Sequence, residues 1–489
     1  MLSVLVGHSY FLRFDQKQLE RAKPYPPLAT LQVASSLRQV GHQVAVFDAM
    51  LAGGVQEYDA QLRRVKPQLA LFYEDNYNFL SKMCLGKMRR AACEMIGSAR
   101  RAGAQVIAAG SDASDAPEAY LAAGAHVVLV GEGLGTLRAL VDRLDSVPQA
   151  PITQLLDGLG GIVSSTRGQA TLSKALALPP DPRHPELAAW DLIDVERYRT
   201  VWRAAHGFFS LNMASSRGCS FRCAWCAKPI WGNRYLQRSA DEVAAEMSYL
   251  KRSFEPDHIW FADDIFGFRV DWVSRFAAAV KAMRGDIPFT IQTRADLVSG
   301  SMARALNDAQ CREVWIGVES GSQRVLDWMN KGTRVEDVPA ARALLAAQDI
   351  RVGFFIQLGY LGEQLEDILA TRDLIDCTRP DDIGVSVAYP LPGTKFYELV
   401  KKQLQAKTHW QESNDLEMMF NGTYRSDFYR AIRDLLHEQV SIAKLNGEGE
   451  GVRRSLQQRW DGLIANEQQY RTDAGEVRAL IQSAVAHNA

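Results

Sequence analysis

The stretch SSRGCSFRCAWCAKPIWG, from Ser215 to Gly232, places Cys219, Cys223 and Cys226 at spacings of four and three residues. Three thiolates this close on one short segment can converge on a single inorganic site. Iron–sulfur clusters that only carry electrons are usually held by four thiolates, so three ligands would leave one iron open to a substrate or cofactor. The other cysteines are scattered along the chain: Cys84, Cys93, Cys311 and Cys377.

Short cysteine spacings also occur in zinc sites, where His206 would be a candidate fourth ligand, and in disulfide frameworks. The spacing alone leaves both alternatives open. The residues that flank the motif, and the segments that follow it, favour a three-thiolate cluster.

The motif, with Trp225 just before its last cysteine, resembles that of the radical S-adenosylmethionine (SAM) superfamily. The resemblance continues through IWFADDIFGF (259–268), VWIGVESGSQRVLDWMNKGT (314–333) and FFIQLGYLGEQLED (354–367), and spans roughly residues 211–398. It implies a partial (β/α)6 barrel of TIM type, expected at residues 201–400. In that barrel Cys219, Cys223 and Cys226 would hold a 4Fe-4S cluster whose fourth iron is chelated by SAM.

The same resemblance implies a set of SAM contacts. Asp263 and Asp264 follow a predicted strand, where relatives bind the methionine amino group, and carboxylates suit that role. Glu319 and Ser320 lie where the family holds the ribose or amino acid part of SAM. Arg294 could meet the SAM carboxylate, and a structural salt bridge is its alternative.

Trp225 and Gly359 complete the predicted SAM-binding set. Gly359 belongs to LGYLGEQ, where many relatives read GYPGET. Here Leu361 replaces proline and Gln364 replaces threonine. Adenine contacts in this region are largely made by backbone, so the change weakens the match without breaking it.

Residues 1–145 show short apolar strands that alternate with helical spacing, which predicts an α/β unit with a doubly wound, Rossmann-like or flavodoxin-like sheet. In such sheets ligands bind beyond the carboxyl ends of the strands. The candidate ligand-facing turns are 8–11, 73–79, 110–112 and 131–133. No GxGxxG follows the first strand, which argues against a dinucleotide.

Two segments of this unit, 25–49 and 117–133, resemble the cobalamin-binding domain of cobalamin-dependent radical SAM enzymes. The DxHxxG signature of other cobalamin domains is missing, since His8 lies in the right loop but outside that pattern. His8 could be an ordinary turn residue, with the loop YEDNYNF (73–79) approaching the cobalt instead. The predicted cobalamin contacts are Ser9, Tyr10, Gly110, Ser111, Gly131 and Glu132.

Proline density marks residues 146–200 as a linker that wraps rather than folds. Residues 401–489 are expected to be helical, with Ser426 as a helix cap. Met418, Met419, Phe420, Tyr424 and Tyr429 could line a substrate pocket or form core against the barrel.

The chain has 489 residues, 47% of them hydrophobic, and a formal charge of −1. This size predicts two or three domains, and the charge gives no bulk attraction to nucleic acid. No apolar run reaches membrane-spanning length and no secretory leader is visible, so the cytoplasm is the expected location.

The combined resemblance implies a cobalamin-dependent radical SAM methyltransferase. A 5'-deoxyadenosyl radical would remove hydrogen from an unactivated carbon (or act at a phosphorus centre), which then takes a methyl group from methylcobalamin. The expected partners are a small-molecule substrate and a reductant such as flavodoxin or ferredoxin. The alternatives are an oxidative cyclase or rearrangement enzyme of the anaerobic magnesium-protoporphyrin ester cyclase type, and a non-catalytic cobalamin and iron–sulfur sensor.

Overall fold

The structure is a computed structural model that describes residues 1–78, 86–166, 169–173, 187–226, 233–404, 416–445 and 450–472. Cys84, Phe79 and the end of the quoted cysteine stretch, 227–232, lie outside these ranges. The described residues divide into two compact units. The first unit contains residues 1–218 and 233–262, and the second contains 219–226 and the residues from 263 onward. The boundaries expected at residues 145, 200 and 400 stay predictions.

The first unit is built on a seven-stranded sheet with the order β2-β1-β3-β4-β5-β6-β7. Its strands are β1 (Ser3–Gly7), β2 (Gln43–Phe47), β3 (Leu69–Tyr73), β4 (Gln105–Ala109), β5 (Val127–Leu129), β6 (Ile162–Thr166) and β7 (Gln169–Leu172). Strands β1 to β5 are parallel, whereas β6 and β7 are antiparallel. The order 2-1-3-4-5 is that of flavodoxin-like folds, in which ligands bind where the order reverses, between β1 and β3. The predicted doubly wound sheet is confirmed.

Helices cover both faces of this sheet because its strands are apolar on both sides. Leu5 belongs to a core cluster that includes Tyr58 and Met95 from two helices, while its neighbours Val4 and Val6 are equally buried on the other face. The helices are α1 (Gln16–Arg21), α2 (Leu28–Gln39), α3 (Val55–Val65), α4 (Gly86–Arg101), α5 (Ser111–Asp115), α6 (Pro117–Ala123) and α7 (Leu134–Ser146).

The stretch that the sequence presents as a linker contains regular structure. The β6–β7 hairpin extends the first sheet, and helix α8 (Val195–His206) follows. Short runs such as IVSST are compatible with an edge hairpin in spite of the prolines around them. Proline density therefore did not distinguish a linker from a hairpin here.

The rest of the first unit contains the first strands of the barrel region. These elements are β8 (Ser210–Met213), β9 (Ser216–Gly218), β10 (Tyr235–Gln237), α9 (Ala240–Phe254) and β11 (His258–Phe261). β8 and β11 pair in parallel, and β9 and β10 pair antiparallel. Helix α9 begins with a capping box between Ser239 and Glu242.

The second unit continues the alternation of strands and helices. Its elements are α10 (Val270–Ala282), β12 (Phe289–Thr293), α11 (Gly300–Asp308), β13 (Cys311–Glu319), α12 (Gln323–Trp328), α13 (Asp337–Ala346), β14 (Arg351–Leu358), α14 (Leu365–Thr378) and β15 (Asp382–Val387). β12 to β15 are parallel neighbours in that order. Together with β8 and β11, the described residues supply the six strands expected for the partial barrel.

The carboxyl-terminal part of the second unit is helical, as predicted. Its helices are α15 (Lys395–Val400), α16 (Ser426–Ala443) and α17 (Glu450–Ala465). Ser426 is the first residue of α16 rather than its cap, a position that Arg425 occupies. The Ser426 hydroxyl accepts the Met418 N–H at 2.9 Å instead. In the described ranges, no helix combines the length and apolarity that crossing a bilayer requires.

Candidate active site

The cysteine loop of the second unit is held by backbone hydrogen bonds on both sides of its middle cysteine. The Ala224 N–H donates to the Met329 carbonyl at 2.8 Å, and the Ala224 carbonyl accepts the Phe396 N–H at 2.9 Å. Asn330 donates its amide to the Arg222 carbonyl at 2.8 Å. The loop is therefore anchored to the turn that follows α12 and to the start of α15.

The donor chemistry of this loop fits an iron–sulfur cluster. Among the described residues, Cys219, Cys223 and Cys226 form no disulfide; the first is buried and the other two are half-buried. Within the described ranges, however, no group of three His, Cys, Asp or Glu side chains is close enough to hold a metal ion. The structure thus keeps the three thiols on one anchored loop without bringing them together. Their role as cluster ligands stays a prediction.

The structure bears on the zinc and disulfide alternatives. The His206 Nε2 lies 3.0 and 3.1 Å from the carbonyl oxygens of Arg21 and Ala22. A carbonyl only accepts, so in this geometry the His206 Nε2 donates a hydrogen bond to these backbone oxygens. The described cysteines form no disulfide, and those outside the motif lie in α4, β13 and α14.

Arg294 makes the structural salt bridge that was weighed against a SAM contact. It donates two hydrogen bonds to the Asp296 carboxylate, both at 2.9 Å, and one to the Lys331 carbonyl at 2.6 Å. Its guanidinium lies 3.6 Å from the ring centroid of Phe221, in the cysteine loop. Arg294 thus supports that loop by stacking on it.

Glu319 ends β13 in an unusual conformation and is ion-paired. Its φ of 64° lies in the left-handed region, which residues other than glycine rarely adopt. Residues held in this conformation cluster at functional sites. Its Oε1 accepts the Lys331 Nζ at 2.8 Å, and both side chains are buried. Ser320, beside it, is buried and contacts the Thr371 hydroxyl at 3.3 Å. Sequence reasoning singled out Glu319 but missed Lys331, because the ion pair joins positions twelve residues apart.

The other predicted SAM contacts of the second unit differ in exposure. Asp263 is fully buried and Asp264 is half-buried. The Asp263 carbonyl accepts the Gln292 amide at 2.5 Å, which fixes the backbone just after β11. The Trp225 indole N–H is buried and has no hydrogen-bond partner within the part of the chain that the structure describes. A buried donor of this kind is costly unless a ligand accepts from it.

Gly359 lies in a turn that a buried carboxyl closes. Its φ is 74°, and its N–H donates to the Glu363 Oε2 at 2.6 Å. The second oxygen of Glu363 has no partner, and burial raises the pKa of this carboxyl to about 8. Nearby, the Tyr429 hydroxyl is buried, and no described residue forms a hydrogen bond with it. Burial is the larger cause, and the charge of Glu363 the smaller one, of the raised pKa of this hydroxyl. The aromatic residues around Tyr429 are buried, as their core interpretation predicts.

In the first unit, buried polar atoms that have no hydrogen-bond partner among the described residues gather at the carboxyl ends of β1, β3 and β4. They are the His8 Nδ1, Glu74 Oε1, both amide atoms of Asn76 and the Ser111 hydroxyl. Buried polar groups without partners are rare in folded proteins. Because these atoms sit where the strand order reverses, they fit a ligand that carries many hydrogen-bonding groups.

Glu74 ties two of the predicted cobalamin turns together. Its Oε2 accepts the Ser9 N–H at 3.1 Å, and burial raises the pKa of its carboxyl. Gly110 has a φ of 146°, and a Cβ there would lie 2.7 Å from the Glu74 Cβ. A residue with a Cβ at position 110 would therefore clash with Glu74, so this position requires glycine. The His8 Nε2 lies 3.0 Å from the Ala49 nitrogen and 3.2 Å from the Asp48 Oδ1, whereas its Nδ1 has no hydrogen-bond partner among the described residues.

The remaining predicted cobalamin contacts are engaged within the first unit. Glu132 forms a buried ion pair with Arg217, and its carbonyl accepts the Tyr73 hydroxyl at 2.7 Å. The Gly131 N–H donates to the Ser114 hydroxyl at 2.9 Å. The Tyr10 hydroxyl donates to Asp15 at 3.1 Å. Their predicted contacts with cobalamin would therefore come mainly from backbone.

Residues 213–375 match the sequence model of the Radical SAM superfamily. The chain therefore contains a radical SAM domain. A relative from Pyrococcus horikoshii, named an uncharacterized methyltransferase, is 25% identical over 293 residues. The alignment covers 59% of this chain and 61% of that relative, so the chain spans less than two thirds of the relative's length.

Two solved structures share the fold. One is the radical SAM methyltransferase TsrM from Kitasatospora setae, with cobalamin and a 4Fe-4S cluster bound. Its TM-score is 0.63 at 19% identity, and the match covers 82% of this chain and 78% of that chain. The other is the cobalamin-dependent SAM radical enzyme OxsB, with aqua-cobalamin and SAM bound. Its TM-score is 0.62 at 18% identity, covering 82% of this chain and 55% of that chain. These likenesses concern the fold.

Proposed function

We propose that the chain is a cobalamin-dependent radical SAM methyltransferase that acts on an unactivated carbon, or on a phosphorus centre, of a small molecule. One observation carries the proposal: a radical SAM domain and a 2-1-3-4-5 sheet with unpartnered polar atoms at its switch point occur in one chain. The bound cobalamin of TsrM and OxsB and the methyltransferase name of the Pyrococcus relative support it.

The cluster and SAM would be held by the second unit. Cys219, Cys223 and Cys226 would ligate the cluster on a loop that Ala224 anchors and Arg294 supports. The Trp225 N–H is free to donate to a bound group. The remaining proposed SAM contacts are Asp263, Asp264, Glu319, Ser320 and Gly359. When bound, the cluster and SAM supply radical chemistry, and cobalamin supplies a methyl group.

Cobalamin would be held at the switch point of the first unit. Its peripheral amides both donate and accept, which matches the mixture of atoms left by His8, Glu74, Asn76 and Ser111. Burial raises the pKa of the Glu74 carboxyl, which favours the protonated form that can donate as well as accept. Ser9, Tyr10, Gly110, Gly131 and Glu132 would shape the same edge of the sheet.

The test is anaerobic turnover with SAM that carries a CD3 group, using the reconstituted full chain, a reductant such as flavodoxin or dithionite, and candidate substrate pools. We expect 5'-deoxyadenosine and a product that contains the CD3 group. Cys223→Ala should abolish both, whereas Cys377→Ala, which removes an exposed thiol from α14, should retain both.

The alternatives give different results in the same experiment. A cyclase or rearrangement enzyme would form 5'-deoxyadenosine and change its substrate without incorporating CD3. A cobalamin and iron–sulfur sensor would form no 5'-deoxyadenosine at all. Either outcome would contradict the methyltransferase proposal.

A further inference from the structure

One face of strands β13, β14 and β15 in the second unit carries an aromatic floor. Trp315 of β13 lies beside Gly353 of β14, and one step further along, Gly317, Phe355 and Gly384 form a row across the three strands. The Trp315 and Phe355 rings are stacked, with centroids 4.8 Å apart and planes 26° from parallel. Both rings remain partly exposed.

Two of the glycines make room for these rings. A Cβ on Gly353 would lie 2.6 to 2.7 Å from three fused-ring carbons of Trp315, so the indole lies flat on the Gly353 backbone. A Cβ on Gly384 would lie 3.3 Å from the Phe355 ring and 3.5 Å from the Trp315 ring. The indole N–H donates to Glu313 at 3.1 Å, which fixes the plane of the ring.

Glycine within a strand weakens it and often marks a place where a ligand approaches. A face that served only as core would gain more from β-branched or other apolar side chains that fill the volume. Here the glycines instead allow a flat aromatic surface that stays partly open. This arrangement suits a flat ligand better than a globular one.

Polar residues border the floor at the carboxyl ends of the strands. Glu319 and Lys331 are paired with each other, and the Ser386 hydroxyl contacts the Ile356 carbonyl at 3.3 Å. Gln357, two residues beyond Phe355 on β14, is only 4% exposed, and its carboxamide oxygen accepts no hydrogen bond from any described residue. A ligand on the floor that carries an N–H or O–H group would satisfy this acceptor.

We infer that this face binds the substrate through a planar, conjugated ring that stacks on Trp315 and Phe355 and donates a hydrogen bond to Gln357. The inference rests on the proposed function, because it names the substrate class of that enzyme. Stacking favours a conjugated ring over a saturated ring of the same size, since only the former presents a polarised flat face to the indole.

The test compares 2-naphthol with its saturated analogue decahydro-2-naphthol, using anaerobic calorimetry on the reconstituted full chain. We expect 2-naphthol to bind at least tenfold more tightly, and Trp315→Leu to remove that preference. Trp272→Leu is the matched control, because Trp272 also stacks on a phenylalanine, Phe276, but lies on helix α10. It should bind 2-naphthol like the unmodified chain.

A second variant keeps the test decisive if Trp315→Leu does not fold, as judged by thermal melting. Gln357→Met preserves side-chain volume and removes the acceptor. It should weaken 2-naphthol binding several-fold and leave 2-methylnaphthalene binding unchanged. Equal binding of the two alcohols by the unmodified chain would overturn the inference. So would 2-naphthol binding that neither folded variant weakens.

Formation of 5'-deoxyadenosine is measured on the same samples. If it forms and the ring preference is absent, the inference about substrate class fails and the proposed function stands. If the ring preference is present and no 5'-deoxyadenosine forms, the proposed function fails instead.

Discussion

At the scale of single residues, Glu363 is an unexpected buried titratable group in the second unit. Its carboxyl is buried, accepts one backbone N–H from Gly359 and leaves its other oxygen unpartnered. The sequence shows only a glutamate after a glycine in LGYLGEQ. Tyr429 of α16 lies close enough for the Glu363 charge to raise its pKa, and no local pattern could predict that proximity.

Glu363 should make stability depend on pH. Its folded pKa, about 8, lies above the ordinary value of 4.5. The stability that the Glu363 carboxyl contributes is therefore fully present below pH 4.5 and is lost as the pH rises through 8. The reason is that the carboxyl ionises readily in the unfolded chain but not in the folded one. Between pH 5 and 8 we expect the free energy of unfolding to fall by on the order of 3 kcal/mol relative to Glu363→Gln. Denaturant titrations across this range measure the difference, and parallel profiles would contradict it.

The buried pair of Glu319 and Lys331 allows a second residue-scale prediction. Lys331→Met should destabilise the chain by about 3–5 kcal/mol, because it leaves a buried carboxylate without its partner. Adding Glu319→Gln to Lys331→Met should recover most of the lost stability, since the buried side chain at position 319 is then neutral. Denaturant unfolding at pH 7 measures both variants. A double variant no more stable than Lys331→Met would show that the lost ion pair is not the cause.

At the scale of secondary-structure elements, the motif GVESGS contains a glycine, Gly321, that packing between elements explains. Its φ is not in the left-handed region, which belongs to Glu319 instead. A Cβ on Gly321 would lie 2.4 Å from the Ala370 carbonyl oxygen and 2.6 Å from the Thr371 Cα, both in α14. Gly321 is therefore needed for the close approach of that helix to the end of β13.

Gly321→Ala should consequently destabilise the second unit by about 3 kcal/mol, at the upper end of ordinary overpacking, because the obstructing atoms are backbone. Gly300→Ala is the control. Gly300 begins helix α11, and its nearest neighbours would lie 3.5 Å or more from the added Cβ. That variant should be neutral or slightly stabilising. Thermal melting compares the two, and equal melting temperatures would contradict the packing argument.

Most elements could be predicted because their sequence patterns are local. The apolar runs LALFY and QVIAA became β3 and β4 as expected, and the alternation of strands and helices gave the correct class. The β6–β7 hairpin was missed because its short strands lie among prolines and pair with an existing sheet. Ser426 was wrongly predicted as a cap, since its hydroxyl bonds to Met418, a contact outside the helix.

At the scale of the whole molecule, the cysteine motif identified the radical SAM domain, while side-chain networks in both units could not be predicted. The turns 8–11 and 110–112 were recognised as ligand-facing from strand ends alone. That Glu74 joins them, and that Asn76 is buried without partners, follows only from the three-dimensional arrangement. The aromatic floor likewise required the register of three strands.

The cobalamin site gives a prediction at this scale. Asn76→Leu removes two of the unpartnered polar atoms at the switch point and adds an apolar side chain. We expect cobalamin retained after gel filtration to fall at least tenfold, with iron content unchanged. Ultraviolet–visible absorption and iron analysis measure the two quantities. Full cobalamin retention would contradict the assignment of this site.

The central claim is that Cys219, Cys223 and Cys226 hold a 4Fe-4S cluster with one iron open to SAM. Electron paramagnetic resonance of the anaerobic, dithionite-reduced full chain tests it most directly. We expect a reduced-cluster signal that changes shape when SAM is added and is absent from Cys223→Ala. A signal that SAM leaves unchanged, or that survives in Cys223→Ala, would contradict it.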